Sequence, residues 1–189
     1  FIGQNWYIGE TLHSGIGQGY FQSTPLQLCL MTAQIANGGY EIKPRIIFEN
    51  KKDYLKDYLD FKSKNPQEPL PSELLVKNLN LKPLFKNQKN INIIKDAMFS
   101  SSNEPGGTSY RHRIENPKYT FAGKTGSSQV KRFTEAQREA EVKQTDLNYK
   151  DRDHALFVAF APYNDPKYAI SVVVEHGGSG GSAAAPLAK

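Results

Sequence analysis

Cysteine is almost absent from this sequence of 189 residues, in which Cys29 is the single example. One cysteine cannot form an intramolecular disulfide, so a disulfide-stapled fold is excluded. The count does not distinguish an oxidising from a reducing compartment. Because Cys29 lies in an apolar run, we expect it to be a small buried core residue.

Long apolar runs are missing as well. No stretch approaches the roughly 18 apolar residues that a membrane span needs, and no signal peptide is present. The sequence begins with Phe1 rather than methionine. We therefore expect an excised or truncated piece of a longer protein, for which a missing N-terminal signal proves nothing.

Metal-ligand patterns are also lacking. The histidines are widely spaced, with no H-x-x-x-H pair and no cysteine partner, so we expect no metal and no cofactor. They are predicted to be surface or supporting groups: His13, His112, His154 and His176. His154 directly follows Arg152 and Asp153, and we expect it to pair with a carboxylate.

A strongly basic surface is not present either. The net charge is +5, and most lysines lie between residues 51 and 95, mixed with Asp, Glu and Asn. Nucleic-acid binding would require a basic face with interleaved aromatic residues or a known module. We expect a solvated surface and no nucleic-acid partner. The apolar fraction of 38%, with 10 Tyr and 10 Phe, predicts a globular chain that is long enough to bury a core.

The clearest helix signal begins at Thr24, which can cap a helix with Pro25 in its first position and Gln27 completing a capping box. Apolar residues cover nearly every face of the following turns, which predicts a deeply buried helix. A left-handed cap at residues 37–39 ends it. The glycine-studded residues 1–24 predict a loop-rich lead-in.

The region that follows carries weaker signals. Residues 43–48 predict a short strand, and the Lys-, Asn- and Pro-rich residues 49–88 predict a surface insertion. Apolar residues at helical spacing predict a helix from about Asn90 to Ser100. Residues 103–108 predict a turn, and residues 132–150 an exposed excursion.

Three strands are predicted in the second half of the chain, over residues 119–130, 155–161 and 168–174. The short connector at residues 162–166 makes the last two an antiparallel hairpin. Residues 182–189 resemble the first turns of a helix. The predicted fold class is α/β (α+β), with an antiparallel sheet flanked by helices.

The strand at residues 119–130 carries the chemistry. Gly123 and Gly126 bracket Lys124 and Thr125, and Ser127 follows. Glycine within a strand marks a bulge or the close approach of another backbone. A lysine charge and hydroxyls that donate and accept suit a carboxylate, and an open strand edge suits an extended peptide. The tripeptide alone is equally compatible with an ordinary strand bearing an exposed lysine.

Lys-Thr-Gly is also the third signature of serine β-lactamases and penicillin-binding proteins. In this context the chain resembles the C-terminal part of a class B penicillin-binding protein transpeptidase domain, in the elongation branch of that family. The likeness rests on five further stretches: residues 15–19, 24–27, 107–108, 152–164 and 176–178. On this resemblance, residues 1–189 form the C-terminal portion of one transpeptidase domain whose N-terminal part is missing.

The resemblance implies roles for the matching residues. Lys124 would set the electrostatics around the nucleophile and the substrate carboxylate. The hydroxyls of Thr125 and Ser127 would hold the terminal carboxylate of a D-Ala-D-Ala stem peptide or of a β-lactam. The backbone N–H of Ser127 would form half of the oxyanion hole, and Gly126 would keep the path of the peptide clear.

The nucleophile motif Ser-x-x-Lys and the Ser-x-Asn motif would both precede this chain, so the catalytic serine is not expected within it and the fragment alone is expected to be inactive. Two segments of this chain match these motifs in residue type and spacing. Residues 128–131 fit Ser-x-x-Lys, but residues three apart on a strand point to opposite faces. Residues 101–103 fit Ser-x-Asn, but lie downstream of the expected position. We interpret both as coincidental.

The implied activity of the full-length protein is peptidoglycan D,D-transpeptidation through an acyl-serine. The implied setting is the inner membrane, with an upstream anchor and a periplasmic domain. The rod-elongation machinery and its glycan polymerase are the implied partners. Two alternatives remain open. One is a D,D-carboxypeptidase or serine β-lactamase of the same fold, and the other is a non-enzymatic β-lactam sensor or scaffold.

Overall fold

The computed structural model describes residues 5–44, 63–64, 82–131, 133–135, 139–140 and 142–189. Within them the helices are α1 (Ile8–Gly15), α2 (Pro25–Ala36), α3 (Gln88–Asn103), and a π-helical turn (Gly180–Ala184) that continues into α4 (Ala185–Ala188). The strands are β1 (Ala122–Ser128), β2 (His154–Ala161) and β3 (Tyr168–Val174). The predicted insertion at residues 49–88 and the strand predicted at 43–48 lie largely outside the described residues.

The strands form one antiparallel sheet in the order β1-β2-β3, which confirms the predicted hairpin and fold class. Helices cover both faces. On one face α2 and α3 pack onto Ala122 of β1 and Phe160 of β2. On the other face the C-terminal helical segment packs onto Phe157 and its neighbours in β2. Among the described residues β1 pairs on one side only, so it forms an edge of the sheet.

The start of α2 confirms the predicted capping box. The Gln27 N–H donates to Thr24 Oγ1 at 3.2 Å, and the Thr24 N–H donates to Gln27 Oε1 at 2.8 Å. At the other end Gly38 and Gly39 take φ of +93° and +88°, which is the predicted left-handed termination. Sequence therefore specifies both ends of this helix.

The predicted deep burial of α2 is wrong. Its buried residues are Thr32, Ile35 and Ala36, whereas Leu26 is 65% exposed. Cys29 is half-buried rather than buried, and its thiol donates to the Ala169 carbonyl of β3 at 3.4 Å. The reason is that α2 rests on the sheet by one face, and no described element packs against the opposite one.

The lead-in is not a loop throughout, because α1 occupies residues 8–15. The Tyr7 N–H donates to a Glu10 carboxylate oxygen at 2.6 Å, which satisfies a backbone group at the helix start. The Ser14 hydroxyl donates to the Glu10 carbonyl within the helix. Local capping thus outweighs the cost of about 1 kcal/mol for each helical glycine. In the described part of the chain, no helix is long and apolar enough to cross a membrane.

Candidate functional site

The edge strand β1 presents its polar residues on two faces. Lys124 lies opposite Val158 in the register, on the sheet face that carries α2 and α3. Its side chain is exposed, and Nζ donates to the Thr125 carbonyl at 2.9 Å. Thr125 and Ser127 alternate with Lys124 and face the C-terminal helical segment instead. The structure therefore separates the lysine from the two hydroxyls.

A cavity of about 350 Å³ opens against the second half of β1. Its lining comes from three places in the chain: Thr108; Thr125, Gly126 and Ser127; and Ser179, Gly180 and Gly181. Three of the four predicted site residues of β1 are thus brought together in one cavity, and Lys124 is not among its lining residues.

Hydroxyl groups dominate the polar part of this cavity. Thr125 Oγ1 lies 2.9 Å from Thr108 Oγ1, which in turn lies 3.3 Å from Ser101 Oγ. The Ser127 hydroxyl donates to the Gly178 carbonyl at 3.3 Å. A hydroxyl both donates and accepts, so this set can rearrange to donate to an anion entering the cavity.

Glycine allows the cavity wall to lie directly on the strand. A Cβ on Gly180 would stand 2.3 Å from the Leu156 carbonyl oxygen and 2.5 Å from that of Gly126. A Cβ on Gly123 would stand 2.5 Å from the Phe157 ring. The prediction that glycine in this strand marks a close approach therefore holds at Gly123, where the nearest group is an aromatic ring. At Gly126 a Cβ would meet only Leu156 Cβ, at 3.5 Å, and the close backbone contact there depends on Gly180 instead.

A hydrogen-bonded clamp holds the turn beside Ser127. The Asp153 carboxylate is nearly buried and accepts from the Val130 N–H at 3.3 Å and from Gln144 Nε2 at 2.9 Å. The Asp153 N–H donates to Gln144 Oε1 at 2.8 Å, and the Gly178 N–H donates to the Asp153 carbonyl at 2.8 Å. This clamp fixes the carbonyl that accepts the Ser127 hydroxyl.

Three residues of the two motif-like segments, 101–103 and 128–131, have partners within the fold. Lys131 Nζ lies 2.7 Å from the Asp151 carboxylate at the far end of β1. Ser102 is fully buried, and its hydroxyl donates to the Gly123 carbonyl at 3.3 Å. Asn103 Nδ2 donates to the Phe121 carbonyl at 2.8 Å. Ser102 and Asn103 thus tie α3 to the chain at β1.

The carboxylate partner predicted for His154 is wrong. Its Nδ1 accepts the backbone N–H of His176 at 2.9 Å, and the two rings lie edge to face at 4.7 Å. Neighbours on an extended chain point to opposite sides, so Asp153 faces Gln144 and not His154. Among the described residues, no group of three or more His, Cys, Asp or Glu side chains could hold a metal ion.

The groups with shifted pKa values, Lys95 and Tyr163, lie near the end of β2 that is farther from the cavity. Burial lowers the pKa of Lys95, against the opposing effect of Asp96. Burial, followed by the hydrogen bond and negative charge of Asp96, raises the pKa of Tyr163 to about 12. The hydrogen bond from Tyr163 to Asp96 joins α3 to the β2–β3 connector, so it supports the sheet rather than the cavity.

Sequence reasoning did not identify the cavity residues that lie outside β1: Thr108, Ser179, Gly180 and Gly181. Thr108 lies in the turn predicted at residues 103–108, and no site residue is predicted among residues 179–181. The available signals were a hydroxyl directly after the double glycine at residues 106–107, and serines flanking Gly180 and Gly181. Neither signal says which strand the loop will contact.

Comparison with known proteins identifies the class first. The family model described as the penicillin binding protein transpeptidase domain matches residues 1–189. The chain therefore belongs to the penicillin-binding protein transpeptidase domain family. Penicillin-binding protein A of Mycobacterium tuberculosis, at 21% identity and a TM-score of 0.55, supports the fold.

The relatives within that family are more specific. The peptidoglycan D,D-transpeptidase MrdA of Salmonella typhimurium is 32% identical over 96% of this chain, and the Acinetobacter baumannii protein of that name is 34% identical over 95%. A solved complex of penicillin-binding protein PBP2 and MreC from Helicobacter pylori is 33% identical, with a TM-score of 0.67 over 98% of this chain. The predicted resemblance to the elongation-specific penicillin-binding protein 2 is confirmed. The chain spans about a quarter of the length of these relatives: 26%, 23% and 27%, respectively.

Proposed function

We propose that this chain is the C-terminal portion of a peptidoglycan D,D-transpeptidase domain and supplies the Lys-Thr-Gly part of its active site. One observation carries the proposal: an edge strand with Lys124 on one face and the hydroxyls of Thr125 and Ser127 in a cavity on the other. Such a strand can pair with an extended peptide while its hydroxyls bind the terminal carboxylate.

In this function a serine outside the 189 residues attacks the carbonyl carbon of the penultimate D-Ala. The tetrahedral intermediate places negative charge on the carbonyl oxygen, which the Ser127 N–H stabilises as one oxyanion donor. Removing one such donor typically costs about 10²–10³ in rate. The C–N bond then breaks and protonated D-Ala leaves. An amine of a neighbouring stem peptide takes the acyl group and releases the serine hydroxyl.

The residues of β1 have different proposed roles on its two faces. Lys124 contributes positive potential on the face that carries α2 and α3, where we place the incoming serine. Thr125 and Ser127 bind the carboxylate from the cavity side, and Gly126 leaves the strand edge clear for the peptide. A β-lactam would acylate the same serine, and the 189 residues alone would be inactive.

The proposed setting of the full-length protein follows its relatives. The Helicobacter pylori relative was solved in complex with MreC, and the Pseudomonas aeruginosa PBP2 in complex with WCK 5153. By likeness we propose inner-membrane anchorage, a periplasmic transpeptidase domain, and partners in the rod-elongation machinery, including its glycan polymerase. Residues 49–88 are proposed to be a surface insertion.

Product analysis of the full-length protein tests the proposed activity. A pentapeptide ending in D-Ala-D-Ala is supplied with an amine acceptor, and the products are identified by mass spectrometry. We expect D-Ala release with the acyl group on the acceptor, and a large loss with Lys124→Ala but not with the exposed Lys118→Ala control. Hydrolysis alone would indicate a D,D-carboxypeptidase, and no turnover would favour a sensor or scaffold.

A further inference from the structure

We propose, on the basis of the function proposed above, that Thr108 is a positioning residue, which holds the Thr125 hydroxyl with its proton directed toward a carboxylate in the cavity. Thr108 lies 17 positions before Thr125 in the sequence, yet their hydroxyl oxygens are 2.9 Å apart. Both residues line the cavity.

The proton count of the hydroxyls supports this role. Each hydroxyl carries one proton, and either oxygen in the pair of Thr108 and Thr125 can be the donor. If Thr125 donates to Thr108, its proton is unavailable to a carboxylate. If Thr108 donates instead, Thr125 accepts that bond and keeps its own proton for the ligand.

A third hydroxyl can complete the productive order of donors. Ser101 Oγ lies 3.3 Å from Thr108 Oγ1 and can donate to it. Protons then run in one direction, from Ser101 to Thr108 to Thr125 and onward to the ligand oxygen. Aligned hydrogen bonds strengthen one another, so an anion in the cavity would select this order.

The backbone holds Thr108 firmly enough for this role. A Cβ on the preceding Gly107 would stand 2.3 Å from the Ser101 carbonyl oxygen, so the turn lies directly on the end of α3. The Ser109 N–H donates to the same carbonyl at 3.2 Å. On the other side, a Cβ on Gly181 would stand 2.8 Å from the Thr108 carbonyl oxygen. Thr108 is therefore fixed between α3 and the C-terminal helical turn.

Acylation kinetics of the full-length protein test the proposal. The probes are benzylpenicillin, which carries a free carboxylate, and its methyl ester, which does not. We expect Thr108→Val to lower the benzylpenicillin acylation rate constant roughly fivefold, the effect of one neutral hydrogen bond. The ester rate should stay at its wild-type value, and Thr108→Ser should restore the benzylpenicillin rate.

The ratio of the two rates separates positioning from simple loss of fold, because misfolded protein lowers both rates alike. As a second measurement, Thr108→Val should add no further loss in a Thr125→Val background. A wild-type rate ratio in Thr108→Val, or full additivity of the two substitutions, would overturn the role of Thr108 and leave the proposed function standing. Absence of acylation in the wild-type protein would instead overturn the proposed function, and the role of Thr108 with it.

Discussion

Replacing Gly180 by alanine tests whether the C-terminal turn must lie on the backbone of β1 and β2. The new Cβ would meet three backbone atoms: the Leu156 oxygen at 2.3 Å, the Gly126 oxygen at 2.5 Å and the Gly126 nitrogen at 2.9 Å. Backbone atoms in a paired sheet cannot rotate away as a side chain can. Reaching an ordinary contact of 3.4 Å from 2.3 Å requires the turn to recede by about 1 Å.

The expected cost lies at the upper end of overpacking effects, about 3 kcal/mol. A domain of 150–250 residues loses about 2–4 °C in Tm per kcal/mol, and a larger one loses less. Gly180→Ala should therefore lower the Tm of the complete domain by no more than about 6–12 °C. Gly126→Ala is the matched control, because its Cβ would meet only Leu156 Cβ, at 3.5 Å. That variant should melt near the wild-type temperature but acylate more slowly, since its methyl group narrows the peptide path.

Thermal unfolding of the full-length protein, followed by calorimetry, is the assay for the pair. Equal melting temperatures for Gly180→Ala and the wild-type protein would refute the close contact between the turn and the strands. An equal loss of stability in Gly126→Ala would refute the distinction between a structural and a substrate-facing glycine.

Three further outcomes are expected. Ser102→Ala should lower the free energy of unfolding in urea by about 1–3 kcal/mol, while the folded variant is acylated at the wild-type rate. Slow acylation at wild-type stability would indicate a catalytic role for residues 101–103. Ser128→Ala and Lys131→Ala should each leave acylation by benzylpenicillin intact, and loss of the penicillin adduct in either variant would contradict this. Lys131→Ala should lower the free energy of unfolding by no more than about 1 kcal/mol, because its ion pair with Asp151 is partly exposed. The pKa of Tyr163 is raised from 10.0 to about 12, so the folded state binds the phenol proton more tightly than the unfolded state does. The stability that this contributes is complete below pH 10 and is lost between pH 10 and about 12. Tyr163→Phe should therefore show a flatter decline of unfolding free energy over that range, and an unchanged decline would exclude the effect.

Local sequence signals predicted the elements that position the site. Thr24 and Gln27 define the start of α2 because capping depends on residues three apart. The apolar runs and short connector define the β2–β3 hairpin for the same reason. The polar centre of β1 predicted the chemistry of a carboxylate site, because glycine and hydroxyl residues are unusual within a strand.

Features that depend on distant contacts could not be predicted in this way. Apolar residues in α2 show a preference for burial, but not which element covers them, so Leu26 was placed wrongly. Thr108 and Ser179 reach the cavity through tertiary packing across many residues of sequence. Adjacency to Asp153 suggested a partner for His154, whereas strand alternation directs the two side chains apart.

Intact mass after treatment with benzylpenicillin tests the central claim most directly, which is that this chain supplies part of a serine acylase site whose nucleophile lies elsewhere. The measurement compares the 189-residue chain with the full-length protein. We predict an adduct on the full-length protein only, weakened by Lys124→Ala. An adduct on the 189-residue chain would place the nucleophile within these residues, with Ser128 the first candidate, and an absence of adduct on both would contradict the proposed enzyme.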